Sequence, residues 1–116
     1  EDGRGKVVNI LDTRVLSQPA ADAYGRTKRD LMEWSVKAAA MFADTLNVNS
    51  VAPGPVLAPV DVHEPAGRTP FGRPKPEDVA SAVAFFLDAP ATTGSIIPVD
   101  GGQLLSDRRL PLCKRK

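Results

Sequence analysis

The sequence predicts an α/β fold: half of a doubly wound parallel sheet, with three strands and two main helices. Two observations carry this expectation. Short apolar runs rich in β-branched residues recur near residues 7–11, 46–52 and 95–99, and helical periodicity fills stretches between them. The order strand, helix, strand, long loop, helix, strand then implies parallel pairing through right-handed crossovers. At 116 residues the chain makes one domain. Such a half sheet is expected to leave one face poorly covered and one edge open.

Residues 7–11, Val-Val-Asn-Ile-Leu, follow a Gly-rich lead-in and read as a buried strand. Residues 13–21, with Ser17 and Pro19, read as a loop. From about Asp22 to Thr45 the pattern is helical. Leu31, Trp34, Ala38, Met41 and Phe42 recur at three- and four-residue steps, with Asp30, Glu33, Lys37 and Asp44 on another stripe. Glu33 precedes Lys37 by four, the better order for a helical ion pair. Met32, Val36 and Ala38-Ala39-Ala40 widen the apolar surface, so this helix is expected to pack on two sides, against its own sheet and against another subunit.

Residues 46–52, Leu-Asn-Val-Asn-Ser-Val-Ala, alternate as a strand that Pro53-Gly54-Pro55 stops. The stretch 53–76 holds seven of the eleven prolines together with Gly54, Gly67 and Gly72. A loop of that length is expected to be functional or mobile, above all over 56–75. Pro76-Glu77-Asp78 opens the second helix, with proline at the first helical position and two acids at the positive end of the dipole. Its expected buried face is Val79, Ala80, Val83, Phe86 and Leu87, and Asp88-Ala89-Pro90 ends it. Thr93-Gly94 turns into the third strand, Ser95-Ile96-Ile97-Pro98-Val99, closed by Asp100-Gly101-Gly102.

Composition narrows the function classes. With 42% hydrophobic residues, 25% charged and a net charge of +1, neither a disordered chain nor a nucleic-acid binder driven by bulk charge is expected. No apolar run is long enough to span a membrane, and the opening Glu-Asp-Gly-Arg-Gly-Lys lacks the apolar segment of a secretory signal. A lone Cys113 and a lone His63 argue against a disulfide or a Cys/His metal site. A cytoplasmic protein without a metal is the expectation. Residues 107–116 form a basic tail: five bases against Asp107 give +4, so the first 106 residues carry −3. Such a tail could touch phosphate, but a solvated terminus explains it more simply.

The first chemical signal is Tyr24-Gly25-Arg26-Thr27-Lys28. Four residues apart on a helix, the phenol and the ammonium point the same way. A phenol titrating near ~10 is a poor acid/base at neutral pH, and a neighbouring cation favours its ionised form. That pairing suits a general acid that protonates a carbonyl or imine as hydride arrives. Alone, the spacing is common by chance.

The context adds to it. Val8-Asn9-Ile10 ends a strand about a dozen residues before Tyr24, and Asn49-Ser50-Val51-Ala52-Pro53-Gly54 follows about two dozen after. Gly72-Arg73-Pro74, Pro76-Glu77-Asp78-Val79-Ala80 and Thr93-Gly94 through Val99-Asp100-Gly101-Gly102 complete the series. In this order and spacing, residues 5–105 resemble the C-terminal half of a short-chain dehydrogenase/reductase. The resemblance implies a Rossmann-like sheet, an NAD(P)-dependent oxidoreductase and a homo-oligomer, dimer or tetramer, built through the 24–45 helix. It implies that Tyr24 is the catalytic acid/base and that Lys28 assists it and binds the nicotinamide ribose. It also implies that Pro53, Gly54, Pro55 and Val56 line the nicotinamide, with backbone at Val56 holding the carboxamide. On this resemblance residues 1–106 are the catalytic half of a single domain. The Pro53-Gly54 pair is equally a strand-ending turn, and the loop to about residue 75 resembles the family's substrate-binding flap.

Three departures refine the expectation. Where the family usually places a serine before the tyrosine, this chain reads Leu11-Asp12-Thr13, one residue closer to Tyr24 than usual. An aspartate there is similar to pteridine reductases, in which an Asp, a Tyr and a Lys serve reduction of a pterin or dihydrofolate ring. Asp12 joins Tyr24 and Lys28 as a catalytic candidate on that basis, and the same likeness favours NADP(H) over NAD(H). An Asp capping the loop after the strand is the structural alternative. Thr13 or Ser17 would supply a hydroxyl in a generic ketone or 3-oxoacyl reductase, and a non-catalytic oligomerisation module is a third reading. Arg14 could pair with Asp12, meet an anionic substrate or sit idle at the surface. Ala58 stands where many relatives carry a threonine. Finally, the Gly-rich turn and the Asn-bearing helix of the family's N-terminal half are not in these 116 residues, so the chain alone is expected to bind cofactor weakly or not at all.

Overall fold

A computed structural model describes residues 3–17, 22–57 and 69–107. Ala58, His63, Cys113 and the tail residues 108–116 lie outside the described residues, as does most of the loop 56–75. Three parallel strands form one sheet in the order β1-β2-β3: β1 (Gly5–Ile10), β2 (Leu46–Pro53) and β3 (Ile96–Val99). Val7 pairs with Val48 and Ile10 with Val51, while Ser50 pairs with Ile96 and Pro53 with Val99. Pro98, which has no N–H to give, sits in β3, an edge strand among the described residues.

The crossovers are α2 (Ala23–Met41) and α3 (Pro76–Leu87). Asp22 caps α2, its carboxylate accepting from the Gly25 amide at 2.7 Å. Pro76 takes the first position of α3, and the Asp78 carboxylate accepts from the Lys75 amide at 2.7 Å. Two short helices flank these: α1 (Arg14–Ser17) and α4 (Gln103–Asp107). Neither is expected from periodicity, because both are too short to show any. The expected loop over 13–21 therefore holds a helical turn, started by Asp12 and Thr13, whose carbonyls accept from Val15 and Leu16. The helix α4 runs through Asp107, one residue into the stretch read as the tail.

Both sheet faces are covered. In a strand, side chains alternate between faces, so Leu46, Val48 and Ala52 point one way and Asn47, Asn49 and Val51 the other. The first set meets α2: Ala38, Ala39 and Val48 cluster with Val7 and Leu46, and Leu11, Val15 and Ala52 with Leu31, Met32 and Ile96. On the second face Asn47 Nδ2 donates to the carbonyls of Pro90 and Thr92 at 3.0 and 2.9 Å, and Asn49 Nδ2 to Thr92 at 2.9 Å. These carbonyls follow α3, which packs across all three strands. The poorly covered face expected for a half sheet is thus occupied by α3.

The helix faces differ in detail from the sequence pattern. In α2 the fully buried residues are Ser35, Ala38 and Ala39, whereas Trp34 is 54% and Met41 76% exposed. At 100° per residue, Trp34 and Met41 stand roughly 60–80° round the helix from Leu31, on its flank. Small residues let the helix approach the sheet closely, and Ser35 is satisfied there. Its hydroxyl donates to the Leu31 carbonyl at 2.7 Å and accepts from Asn9 Nδ2 at 2.7 Å. In α3 the line Val79-Val83-Phe86 turns inward, while Ala80 and Leu87 are exposed.

Two outcomes follow for stability. Phe86→Ala is expected to cost about 3–5 kcal/mol in chemical denaturation, because Phe86 is buried, while Phe85→Ala at its exposed neighbour should cost under about 1 kcal/mol. Gly101→Ala should also lower the melting temperature. Gly101 has φ +61°, and a Cβ there would run into the Gly72 carbonyl oxygen.

Candidate active site

In a parallel sheet the loops after the strands gather at one edge, and three meet here. Asp12 and Thr13 follow β1, the segment Gly54–Val56 follows β2, and Asp100–Gly102 follow β3. The first turns of α2 bring Tyr24 and Lys28 to the same edge. Lys28 Nζ donates to the carbonyl of Ile10, the last residue of β1, at 3.0 Å.

Asp12 is the centre of the cluster. The Tyr24 hydroxyl donates to its Oδ2 at 3.3 Å. Arg14 Nε approaches both carboxylate oxygens at 3.4 and 3.3 Å, and Nη2 reaches Oδ2 at 3.2 Å. The Arg14 backbone amide donates to Oδ1 at 2.9 Å. Asp12 therefore caps the turn that opens α1 and accepts from the phenol at the same time. Arg14 is paired rather than idle: its guanidinium carbon lies 5.0 Å from the Tyr24 ring centroid. The Lys28 ammonium lies 5.7 Å from the same centroid. The Asp12 carboxylate, by accepting from Arg14, raises the guanidinium pKa above its usual value, against an opposing effect of burial. The phenol is about half exposed, so a reacting molecule can reach it.

The segment after β2 is held from two sides. Gly54 N donates to the Val99 carbonyl at 2.9 Å, and Arg73 Nη1 donates to the carbonyls of Pro55 and Leu57 at 2.8 and 3.0 Å. Val56 N donates to the Gly54 carbonyl at 2.9 Å. Pro53, Gly54, Pro55 and Val56 are half-buried.

The alternative hydroxyl, Thr13, points elsewhere. It is buried, and its Oγ1 donates to Gln103 Oε1 at 2.9 Å. The Ser17 side chain lies outside the described set. Among the described residues, no group of three or more His, Cys, Asp or Glu is gathered, and no helix is long and apolar enough to cross a membrane. A cleft formed by Gly3–Lys6, Leu87, Asp88 and Pro90 lies at the opposite, amino-terminal end of the strands. Sequence reasoning does not find the Arg73 clamp or the Thr13–Gln103 pair. The available signal for the latter is that Gln103 directly follows Asp100-Gly101-Gly102.

Comparison with known proteins bears on the fold and the family. The family model described as enoyl-(acyl carrier protein) reductase matches residues 1–103. Carbonyl reductase family member 4 of Xenopus laevis is 38% identical over 89 residues, covering 68% of this chain and 36% of that protein. The structure of a short-chain type dehydrogenase/reductase from Mycobacterium ulcerans superposes with a TM-score of 0.78 at 30% identity, over 89% of this chain and 42% of that one. FolM alternative dihydrofolate reductase 1 from Brucella canis, solved with NADP, gives a TM-score of 0.78 at 34% identity, over 90% and 44%. The chain spans less than half the length of each of these relatives. With three parallel strands, the motif order and a family match across nearly its whole length, this chain belongs to the short-chain dehydrogenase/reductase family.

Proposed function

We propose that this chain is the catalytic half of a cytoplasmic, homo-oligomeric NADPH-dependent reductase acting on a pteridine or dihydrofolate-like substrate. The observation that carries the reading is the Asp12 carboxylate within hydrogen-bonding distance of the Tyr24 phenol, at 3.3 Å. The likeness to FolM, solved with NADP, supports both the substrate class and the choice of NADP(H) over NAD(H).

The residues present fit the nicotinamide end of such a cofactor. Lys28 spends one ammonium hydrogen on Ile10 and has two left for ribose hydroxyls. Pro53, Gly54, Pro55 and Val56 line the same edge, half-buried, where Val56 would offer its backbone to the carboxamide. Bound there, NADPH would supply a hydride to the substrate ring. Tyr24 holds the proton to be transferred at its phenol oxygen. Asp12 Oδ2, already the partner of that hydroxyl, is the atom through which the proton reaches a ring nitrogen. Arg14 and Lys28 flank the phenol and meet the negative charge left on it. A carboxyl suits a ring nitrogen better than the serine hydroxyl usual in the family, because it can relay a proton as well as hold one in place.

The second reading is a generic ketone or 3-oxoacyl reductase in which Asp12 only caps α1. It is favoured by the likeness to carbonyl reductase family member 4 and by the Asp12 contact to the Arg14 amide. It is weakened by Thr13, whose hydroxyl is turned into the protein. An oligomerisation module without catalysis would draw on exposed Trp34, Val36 and Met41 but has no use for the Tyr24–Lys28 pair.

In the full-length enzyme, Asp12→Asn is expected to lower turnover of a dihydropterin by about 10²–10⁴-fold with cofactor affinity nearly unchanged, since an amide keeps the shape but relays no proton. Ordinary turnover by that variant, or a wild type inert to pterins and active on simple ketones, moves the assignment to the generic reductase. Fluorescence titration should also find NADPH binding to the isolated 116-residue chain far weaker than to the full-length enzyme. Equal affinity would refute the half-domain reading.

A further inference from the structure

We propose that Gln103 is a positioning residue for the active site: from 90 positions away in sequence, its side chain holds the Asp12-Thr13 loop against the Pro53-Gly54 turn. The inference rests on Asp12 as the proton-handling partner of Tyr24.

Gln103 and Thr13 are both buried, and their side chains meet at 2.9 Å. A buried polar pair of this kind is costly to leave half-made, so each side chain fixes the other. Thr13 also donates its amide to the Pro53 carbonyl at 3.1 Å. The same Gln103 Oε1 lies 3.3 Å from where a Cβ on Gly54 would stand, and the Asp100 Cα lies 2.9 Å from that point. Glycine at 54 leaves room for Asp100, and so lets the turn that carries Gln103 lie against this one.

The glutamine is itself well placed to act as an anchor. The Gln103 amide donates to the Asp100 carbonyl at 3.1 Å, while the Asp100 carboxylate accepts from Gly102 at 3.1 Å and Leu104 at 2.8 Å. Gln103 thus stands on a capped turn at the end of β3 and reaches across the edge of the sheet. Through Thr13 it acts on the residue before, Asp12. Through the Thr13 amide, which donates to the Pro53 carbonyl, it also acts on the turn that lines the proposed cofactor site. It touches neither reacting group, so its effect is on placement. A displacement of about 1 Å at a reacting group can cost on the order of 10²-fold in rate.

The test is a cycle in the full-length enzyme with NADPH and a dihydropterin: wild type, Gln103→Ala, Asp12→Asn and the double variant. Gln103→Ala should lower kcat by about 10–100-fold, and in the Asp12→Asn background it should cost no more than about two-fold. A purely structural loss would multiply with the Asp12→Asn loss instead, and that result overturns the inference. So does a folded Gln103→Ala enzyme with kcat within about two-fold of wild type. Asn47→Ala is the control, a buried residue at the other end of the sheet, expected to lower the melting temperature but not kcat of the folded enzyme. Should Gln103→Ala fail to fold, Thr13→Val replaces it in the cycle with the same outcomes, and Thr13→Ser should restore turnover. If Asp12→Asn turns over normally, the reading of Asp12 fails, and hydrogen exchange decides the rest. The Thr13 amide should exchange faster in Gln103→Ala, and unchanged exchange there overturns the inference.

Discussion

The backbone of β2 is hydrogen-bonded along both edges and covered on both faces, and the other elements take their places from that arrangement. A strand so enclosed has no water to satisfy it, so each polar group needs a partner within the protein. Asn47 and Asn49 meet this need, whereas the buried hydroxyl of Ser50 in the same strand has no hydrogen-bond partner among the described residues. Their amides donate to carbonyls in the connection from α3 to β3, and Asn49 Oδ1 accepts from the Ser95 amide at 3.1 Å. These contacts draw the connection onto the sheet and feed the chain into β3. Parallel pairing on both sides then forces each return path across a face, α2 over one and α3 over the other.

The site is a product of that topology. Three strand ends at one edge bring together segments that are about 40 and 90 residues apart, and no local signal could do so. Within the edge, short-range interactions sharpen the geometry. Asp22 fixes the first turn of α2, so that Tyr24 and Lys28 stand in its first two turns. Asp12 fixes the first turn of α1, which sets Arg14 beside the phenol ring. The aspartate that caps a turn is also the acceptor of the phenol. The cap on α1 and the contact to the phenol thus fall on a single carboxylate, and each holds the orientation of the other.

Around Tyr24 the guanidinium of Arg14 and the ammonium of Lys28 lie against the ring, while the Asp12 carboxylate accepts from its hydroxyl. Arg73 extends the same economy of parts. One guanidinium nitrogen binds the carbonyls of Pro55 and Leu57 and so ties the segment after β2 to the approach to α3. Trp34, Val36 and Met41, exposed along α2, are apolar surface that neither the sheet nor the site uses.

Much of this was determined by sequence alone, where the signal is local. The three strands, both main helices and the start of the second helix follow from β-branched runs, 3.6-residue periodicity and residues such as Pro76 and Asp78. The spacing of Tyr24 and Lys28 places them on one helical face, and the order of the motifs identifies the family. The tertiary structure alone decided three things. It chose Ser35, Ala38 and Ala39 over Trp34 and Met41 as the inner face of α2, because close approach to a sheet favours small side chains when a helix is apolar on more than one side. It made α1 and α4, whose single turns rest on the Asp12 and Asp100 caps and show no periodicity. And it joined Thr13 to Gln103 and Arg73 to Pro55 and Leu57. Hydrogen bonds across such separations depend on where strands end in space, which a linear pattern of side chains does not encode.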